Sequence, residues 1–113
     1  LKPWDAIERR LRLAGEADLV LGFYNPISRE RPWQLERALA IVREHRAADT
    51  PVVLGRDVGR PGGQVRTLAL AALEAAMVDM RSTLIIGSST TRRYARGDGA
   101  DWVYTPRWYP APP

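Results

Sequence analysis

The chain has 113 residues, 45% hydrophobic and 27% charged, with a formal net charge of +4. That length fits one compact domain, and no hydrophobic run approaches the roughly 20 residues that a membrane-spanning helix requires. The chain has no Cys and a single His (His45), which excludes a disulfide framework and leaves too few ligands for a typical zinc centre. We therefore expect a cytoplasmic domain without a membrane segment and without a metal.

The first half of the chain predicts two amphipathic helices, each followed by a short buried strand. Pro3 suits the first turn of the first helix, and Gly15 suits its end. The apolar run Leu19–Tyr24 has the length of a strand and is ended by Asn25-Pro26. Val52–Leu54 predicts a second strand, and the strand–helix–strand order predicts a parallel pair with a right-handed crossover. The apolar stripes of the two helices are Trp4, Ile7, Leu11 and Ala14, and Leu35, Ala38, Leu39 and Val42.

The second half predicts a loop that contains four glycines, followed by further strands. The alternating segment Gln64–Leu68 indicates a half-exposed strand that leads into an Ala/Leu-rich helix ending near Met77. The pattern as a whole predicts an α/β fold, a three-layer-like domain with a mixed, mainly parallel sheet flanked by helices. The remaining segments are a buried strand at Thr83–Gly87, a loop at Arg92–Gly99 and an edge strand at Trp102–Thr105.

The common chemical motifs are absent. The glycine-rich loop, residues 55–63, lacks the Lys and hydroxyl of a P-loop and does not open a helix as a dinucleotide fingerprint does. Its glycines instead suit a loop whose backbone approaches a ligand at the carboxyl end of a strand. There is no nucleophile elbow, and His45 lies on a predicted helix as an exposed residue, so a hydrolase triad is not indicated. Asp79 and Met80 are interpreted as part of a connecting turn.

The cationic residues are 16 Arg and one Lys (Lys2). Arginine presents a planar fork that suits carboxylates and phosphates, so an anionic partner is physically reasonable, although an Arg-biased surface explains the same composition. The four Trp are scattered, and no RRM, KH or helix-turn-helix pattern accompanies them. We therefore expect no nucleic-acid partner.

Several segments in collinear order resemble the C-terminal domain of the precorrin-3B C17-methyltransferases, a family of tetrapyrrole methyltransferases. The resemblance covers almost the whole chain, and departures include Asp57-Val58, where the family usually has Asn-Ala, and Trp108, where it has Gly. The matching segments are P-W-D-A-I-E-R-R, A-D-L-V-L-G-F-Y-N-P-I-S-R-E-R, W-Q-L-E-R-A, T-P-V-V-L-G-R-D-V-G-R, V-D-M-R-S-T-L-I-I-G-S-S-T-T-R and Y-T-P-R-W-Y.

The resemblance implies that residues 1–113 form the C-terminal domain of a two-domain, homodimeric enzyme whose N-terminal domain is absent here. It implies S-adenosylmethionine as methyl donor and methylation of precorrin-3B at C17 with ring contraction, in cobalamin biosynthesis. The chain would supply one wall of the active-site cleft and be inactive alone. The residues expected to bind the methyl donor follow the first two strands: Tyr24, Asn25, Arg56, Asp57, Val58 and Gly59.

Arg60 is expected to bind the carboxylates of the tetrapyrrole, and no acid–base catalyst is identified. Tyr24 as a core aromatic and Asn25-Pro26 as a plain turn are the structural alternatives. Two alternative functions remain: a stand-alone α/β module that binds an anionic small molecule or nucleic acid without catalysis, and a purely structural or regulatory α/β domain that binds neither methyl donor nor tetrapyrrole. If the cleft interpretation holds, the two ligand loops must lie at one edge of the sheet.

Overall fold

A computed structural model of the chain describes residues 3–24, 33–97 and 101–107. The elements follow in the order helix, strand, helix and five strands, with two short 3₁₀ turns before the fourth strand. Their bounds are α1 Trp4–Glu16, β1 Leu21–Tyr24, α2 Trp33–Arg43, β2 Pro51–Arg56, β3 Gln64–Ala69, 3₁₀ turns Leu70–Ala72 and Ala75–Met77, β4 Ser82–Ile86, β5 Arg92–Ala95 and β6 Asp101–Tyr104.

The main sheet has the strand order β1-β4-β2-β3, and every pair in it is antiparallel. The prediction of a mainly parallel sheet is therefore wrong. β1 and β2 do point in the same direction, but β4 lies between them and pairs with both. The loop of residues 57–63 makes β2 and β3 a hairpin, because a connection this short cannot carry the chain back to start a parallel strand.

The core lies between one face of this sheet and the two helices. Leu35, Leu39 and Val42 of α2 are almost completely buried against Val52 and other sheet residues. α1 packs on α2 through a smaller apolar cluster that includes Leu11 and Ile41. The predicted stripe of α2 is confirmed, and Ile41 adds to it. The sheet residues of the core are Leu21, Val52, Leu54, Leu68, Leu84 and Ile86.

The opposite face of the sheet carries no helix within the described residues, which contradicts the three-layer expectation. Ile85 lies on the central strand β4 and still exposes 42% of its surface. Its cross-strand neighbours on that face are Gly22 and Val53. No helix in the described ranges is both long and apolar enough to cross a bilayer.

Two further predictions of secondary structure are wrong. The Ala/Leu-rich segment before Met77 forms two 3₁₀ turns separated by extended residues, and it contributes Leu70 and Leu73 to the core without forming an α-helix. Arg92–Ala95, expected in a loop, pairs with Asp101–Tyr104 as a separate two-stranded sheet. The aromatic residues Tyr94, Trp102 and Tyr104 of this hairpin are all more than half exposed.

The ends of α1 differ in detail from the sequence prediction. Pro3 is the residue just before the helix, with extended backbone, and the helix continues to Glu16. Gly15 lies inside the helix, where a Cβ atom would come within 2.7 Å of the His45 ring. It therefore serves the close approach of His45 and does not stop the helix, and His45 is half-buried, not fully exposed.

Arg46 is a buried cation that joins four elements of the fold. Its side chain is only 1% exposed. Its guanidinium donates hydrogen bonds to the carbonyl oxygens of Gly87 (2.9 Å), Gly15 (3.0 Å), His45 (3.0 Å) and Leu19. Because Gly15 and His45 lie at the ends of α1 and α2, the cation also meets the negative ends of both helices.

Candidate functional site

The residues at the carboxyl ends of β1 and β2 line a common cleft of about 360 Å³. This is possible because β1 and β2 point in the same direction, so their last residues emerge at one edge of the sheet. The geometric requirement of one shared edge is therefore met, although the two strands are not adjacent. The lining residues are Tyr24, Asp57, Val58, Arg60, Met80, Arg81 and Thr83.

Tyr24 is the aromatic wall of the cleft. It is the last residue of β1 and exposes 80% of its surface, so the alternative of a core aromatic does not hold. It pairs across the strands with Thr83, which lies beside it in the cleft lining. An exposed aromatic ring at the mouth of a concave site can stack on a flat ligand.

The loop after β2 has a backbone that favours particular residues. Asp57 and Gly59 both have a positive φ, +50° and +82°. This region is accessible to glycine and is tolerated by Asp and Asn better than by most other side chains. A Cβ atom on Gly63 would come within 2.3 Å of the Asp57 carbonyl oxygen, so the loop closes tightly on itself. The glycines therefore fix the shape of this side of the cleft.

Two ion pairs connect this loop to the turn before β4. The Arg56 Nε lies 2.8 Å from Asp79 Oδ2, and an Arg81 guanidinium nitrogen lies 3.3 Å from Asp57 Oδ2. The pKa of Asp79 is lowered, chiefly by a hydrogen bond from the Arg81 backbone N–H. A hydrogen bond from the Ser82 hydroxyl and the nearby Arg56 cation lower it further, while partial burial opposes the shift. Asp79 is thus held as a carboxylate.

Arg60 differs from the other cations near the cleft. Arg56 and Arg81 each face a carboxylate, whereas within the described part of the chain no acceptor is bonded to the Arg60 guanidinium. Arg60 lines the cleft and is exposed. It is therefore the cleft cation best placed to meet an anionic ligand.

The structure does not bring all the predicted site residues into the cleft. Arg56 points into its ion pair with Asp79, and Gly59 shapes the loop without lining the cleft. Asn25 lies outside the described residues. Met80 and Arg81 do line the cleft, although the sequence placed Met80 in a structural turn. The sequence could not predict Met80 as a cleft residue, because a single Met after a polar residue is typical of neither a buried core nor a ligand site.

A second concavity, of about 410 Å³, lies at the opposite edge of the sheet near Thr50 and Ser88. Its cations are engaged within the protein: Arg46 bonds to four carbonyl oxygens, Arg92 donates to the Ser89 and Thr91 carbonyls, and Arg93 bonds to Asp101 and the Thr67 carbonyl. These contacts anchor the hairpin and the helix ends. We therefore favour the first cleft as the ligand site.

Known proteins of cobalamin biosynthesis provide a close match to the chain. The chain is 48% identical over 109 residues to a precorrin-3B C(17)-methyltransferase from Sinorhizobium sp, with 96% of this chain and 43% of the relative covered. It is 48% identical over 114 residues to the cobalamin biosynthesis protein CobIJ of Mycobacterium bovis, covering 97% of this chain and 22% of the relative. No family model matches the chain.

A crystal structure of the methyltransferase CobJ has the same fold. The TM-score is 0.84 at 36% sequence identity, over 93% of this chain and 42% of that structure. The chain is thus a small α/β domain homologous to part of the methyltransferases of cobalamin biosynthesis. Its homologues are named precorrin-3B C17-methyltransferase, so the resemblance seen in the sequence is confirmed. The chain spans less than half the length of these relatives.

Proposed function

We propose that the chain is the C-terminal domain of a two-domain methyltransferase that methylates precorrin-3B at C17, with ring contraction, in cobalamin biosynthesis. The observation that carries this proposal is the shared cleft of Tyr24 and the Asp57–Arg60 loop at one edge of the sheet. The 48% identity to a precorrin-3B C(17)-methyltransferase supports it. The complete protein is proposed to be a cytoplasmic homodimer.

The cleft residues suit S-adenosylmethionine as the methyl donor. Tyr24, Val58 and Met80 offer an aromatic and two apolar surfaces, all exposed, for the adenosine part. A volume of about 360 Å³ lies within the range of small-molecule sites. When bound, S-adenosylmethionine supplies an electrophilic methyl group on a sulfonium. Asn25 is included in the donor site on the resemblance alone.

The charged residues of the cleft suit the second ligand. Precorrin-3B is a tetrapyrrole with several carboxylates, and Arg60 has no carboxylate partner among the described residues. We propose that Arg60 binds a substrate carboxylate, because a guanidinium fork matches a carboxylate in geometry and charge. Arg56, Asp57 and Gly59 are proposed to set the conformation of the donor-binding loop.

In this proposal the isolated chain supplies one wall of the site and does not catalyse methyl transfer. Methyl transfer depends on holding the donor and the acceptor carbon in line and apart from water. A cleft that is open on one side cannot impose that geometry. The proposed domain organisation is checked first by reading the gene upstream of Leu1 for a second α/β domain with a glycine-rich motif.

The decisive experiment measures binding and turnover in the full-length protein and in the isolated chain. We expect methylation of precorrin-3B by the full-length protein only. Tyr24→Ala should weaken S-adenosylmethionine binding by about 1–3 kcal/mol, as loss of ring stacking does. Arg60→Ala should raise the KM for the tetrapyrrole by a comparable amount, since it removes a charged hydrogen bond.

The matched control for Arg60→Ala is Arg10→Ala, which removes an exposed arginine on α1, on the helical side of the domain. The control should leave both the S-adenosylmethionine affinity and the KM for the tetrapyrrole unchanged. Full binding by the Tyr24→Ala and Arg60→Ala variants would reject the cleft assignment. Turnover by the isolated chain would reject the proposal that it is half of a site.

A further inference from the structure

The turn before β4 is organised around one carboxylate. Asp79 accepts hydrogen bonds from the Arg81 backbone N–H (2.8 Å) and from the Ser82 hydroxyl (3.1 Å). The Asp79 backbone N–H donates to Ser82 Oγ at 3.0 Å, so the two residues bond reciprocally. Ser82 is 1% exposed and belongs to β4, so the turn is anchored in the sheet.

The same carboxylate reaches the loop on the neighbouring strand. Arg56 is the cross-strand partner of Ser82, which brings its Nε to 2.8 Å from Asp79 Oδ2. In the reverse direction, Arg81 pairs with Asp57 at 3.3 Å, and the Asp57 backbone N–H donates to the Arg81 carbonyl oxygen at 3.2 Å. Each segment therefore gives the other one cation and one anion.

These contacts fix two parts of the cleft lining, the backbone at Asp57 and the turn that carries Met80. Asp57 has a φ of +50°, a conformation that persists in a non-glycine residue when its surroundings fix it. Met80 lies between Asp79 and Arg81 in the chain, and its side chain stays 45% exposed in the cleft lining. Fixing the turn and the loop together thus places two walls of the cleft at once.

We propose that Asp79 is a positioning residue: by holding Arg56 and the turn, it sets the loop Asp57–Gly59 and Met80 in the conformation that binds the methyl donor. This inference rests on the proposed function, because it takes S-adenosylmethionine as the ligand of the cleft. Asp79 does not itself line the cleft. Its effect is transmitted through Arg56, and the ligand-contacting groups are Tyr24, Val58 and Met80.

The test is Asp79→Asn in the full-length protein. The amide oxygen of Asn can still accept from the Arg81 N–H and the Ser82 hydroxyl, so the turn is retained while Arg56 loses its anionic partner. We expect the KM for S-adenosylmethionine to rise about two- to fivefold, the effect of losing an ion pair whose side chains are 51% and 44% exposed. The kcat and the urea midpoint should stay unchanged, a split that a merely structural role would not give.

Two comparisons make the test specific. Glu44→Gln removes the exposed ion pair of Glu44 with Arg12, at 3.0 Å, and should leave the KM unchanged. In an Arg56→Gln background, Asp79→Asn should have little further effect, because its action passes through Arg56.

The outcomes separate the two claims. A wild-type protein that does not bind S-adenosylmethionine overturns the proposed function, and the positioning role with it. Normal binding by wild type together with a wild-type KM for Asp79→Asn overturns the positioning role alone. The positioning role is likewise overturned if the KM rises only together with a fall in the urea midpoint, or if the rise in KM persists undiminished in the Arg56→Gln background.

Discussion

Replacing Arg46 by Ala should be among the most destabilising single changes in this domain. The variant removes the donor to the carbonyl oxygens of Gly87, Gly15, His45 and Leu19, from a side chain that is 1% exposed. Each hydrogen bond to a charged group contributes about 1.5–3 kcal/mol. The losses do not add fully, because the sites share one side chain and water can reach the more exposed Leu19 carbonyl. We expect a loss of about 3–5 kcal/mol.

Urea unfolding of the chain, followed by tryptophan fluorescence and circular dichroism, measures this loss. With a slope of about 2 kcal/mol per M, the midpoint should fall by about 2 M. Arg46→Lys should lie between wild type and Arg46→Ala, because a lysine keeps the charge but cannot form the same planar fork. The ranking remains measurable even if the Ala variant is unfolded in water.

The control for Arg46 is Arg12→Ala, which breaks a pair with Glu44 whose two side chains are 40% and 57% exposed. Exposed pairs contribute about 0–1 kcal/mol, so its midpoint should move little. If Arg46→Ala lies within about 1 kcal/mol of wild type at an unchanged slope, the structural role argued for this buried cation is wrong.

Two further predictions concern the helical layer. Gly15→Ala should destabilise the domain although Ala favours helices, because its Cβ would lie 2.7 Å from the His45 ring. Adding His45→Ala removes the ring but leaves its Cβ 3.0 Å away, so it should recover part of the lost stability in urea unfolding. The hydrogen bond from Arg37 lowers the pKa of Glu8 in the folded protein below its ordinary 4.5. The ionised Glu8 side chain therefore stabilises the fold above pH 4.5, and this stabilisation is lost as the pH falls through the lowered pKa of the folded state. Glu8→Gln should therefore flatten the fall in stability below pH 4.5, and an unchanged pH profile would contradict this.

The sequence predicted correctly those helices and strands in which apolar residues recur with the period of the element. The stripe of α2 and the apolar run that contains β1 follow directly from the periods of helix and strand. Gln64–Leu68 was also predicted as a strand, and it forms β3 with one more residue. The bounds moved by one to a few residues, since hydrogen bonding, not apolarity, decides where a strand begins and ends.

Features that depend on distant partners were not predictable in the same way. The sheet is antiparallel because β4 inserts between β1 and β2, and no local signal gives the order of strands that lie about 30 to 60 residues apart in the chain. Leu70, Leu73 and Met77 have helical spacing, yet they lie in or beside 3₁₀ turns, where Leu70 and Leu73 are buried in the core and Met77 packs against it only partly buried. Arg46 is one of 16 arginines, and only the convergence of four carbonyl groups makes it a core residue.

The predicted sheet order was wrong, yet it placed Tyr24 and the Asp57 loop at the same edge of the sheet, as the structure does. It missed the third segment of the cleft. An adjacent parallel pair of β1 and β2 would place Tyr24 directly beside the Asp57 loop. In the structure β4 runs antiparallel between them, so its amino end, and the turn that precedes it, lie between the two predicted loops. Met80 enters the cleft for that reason. The antiparallel central strand therefore gives the site a third segment, and Asp79 ties that segment to Arg56 of β2.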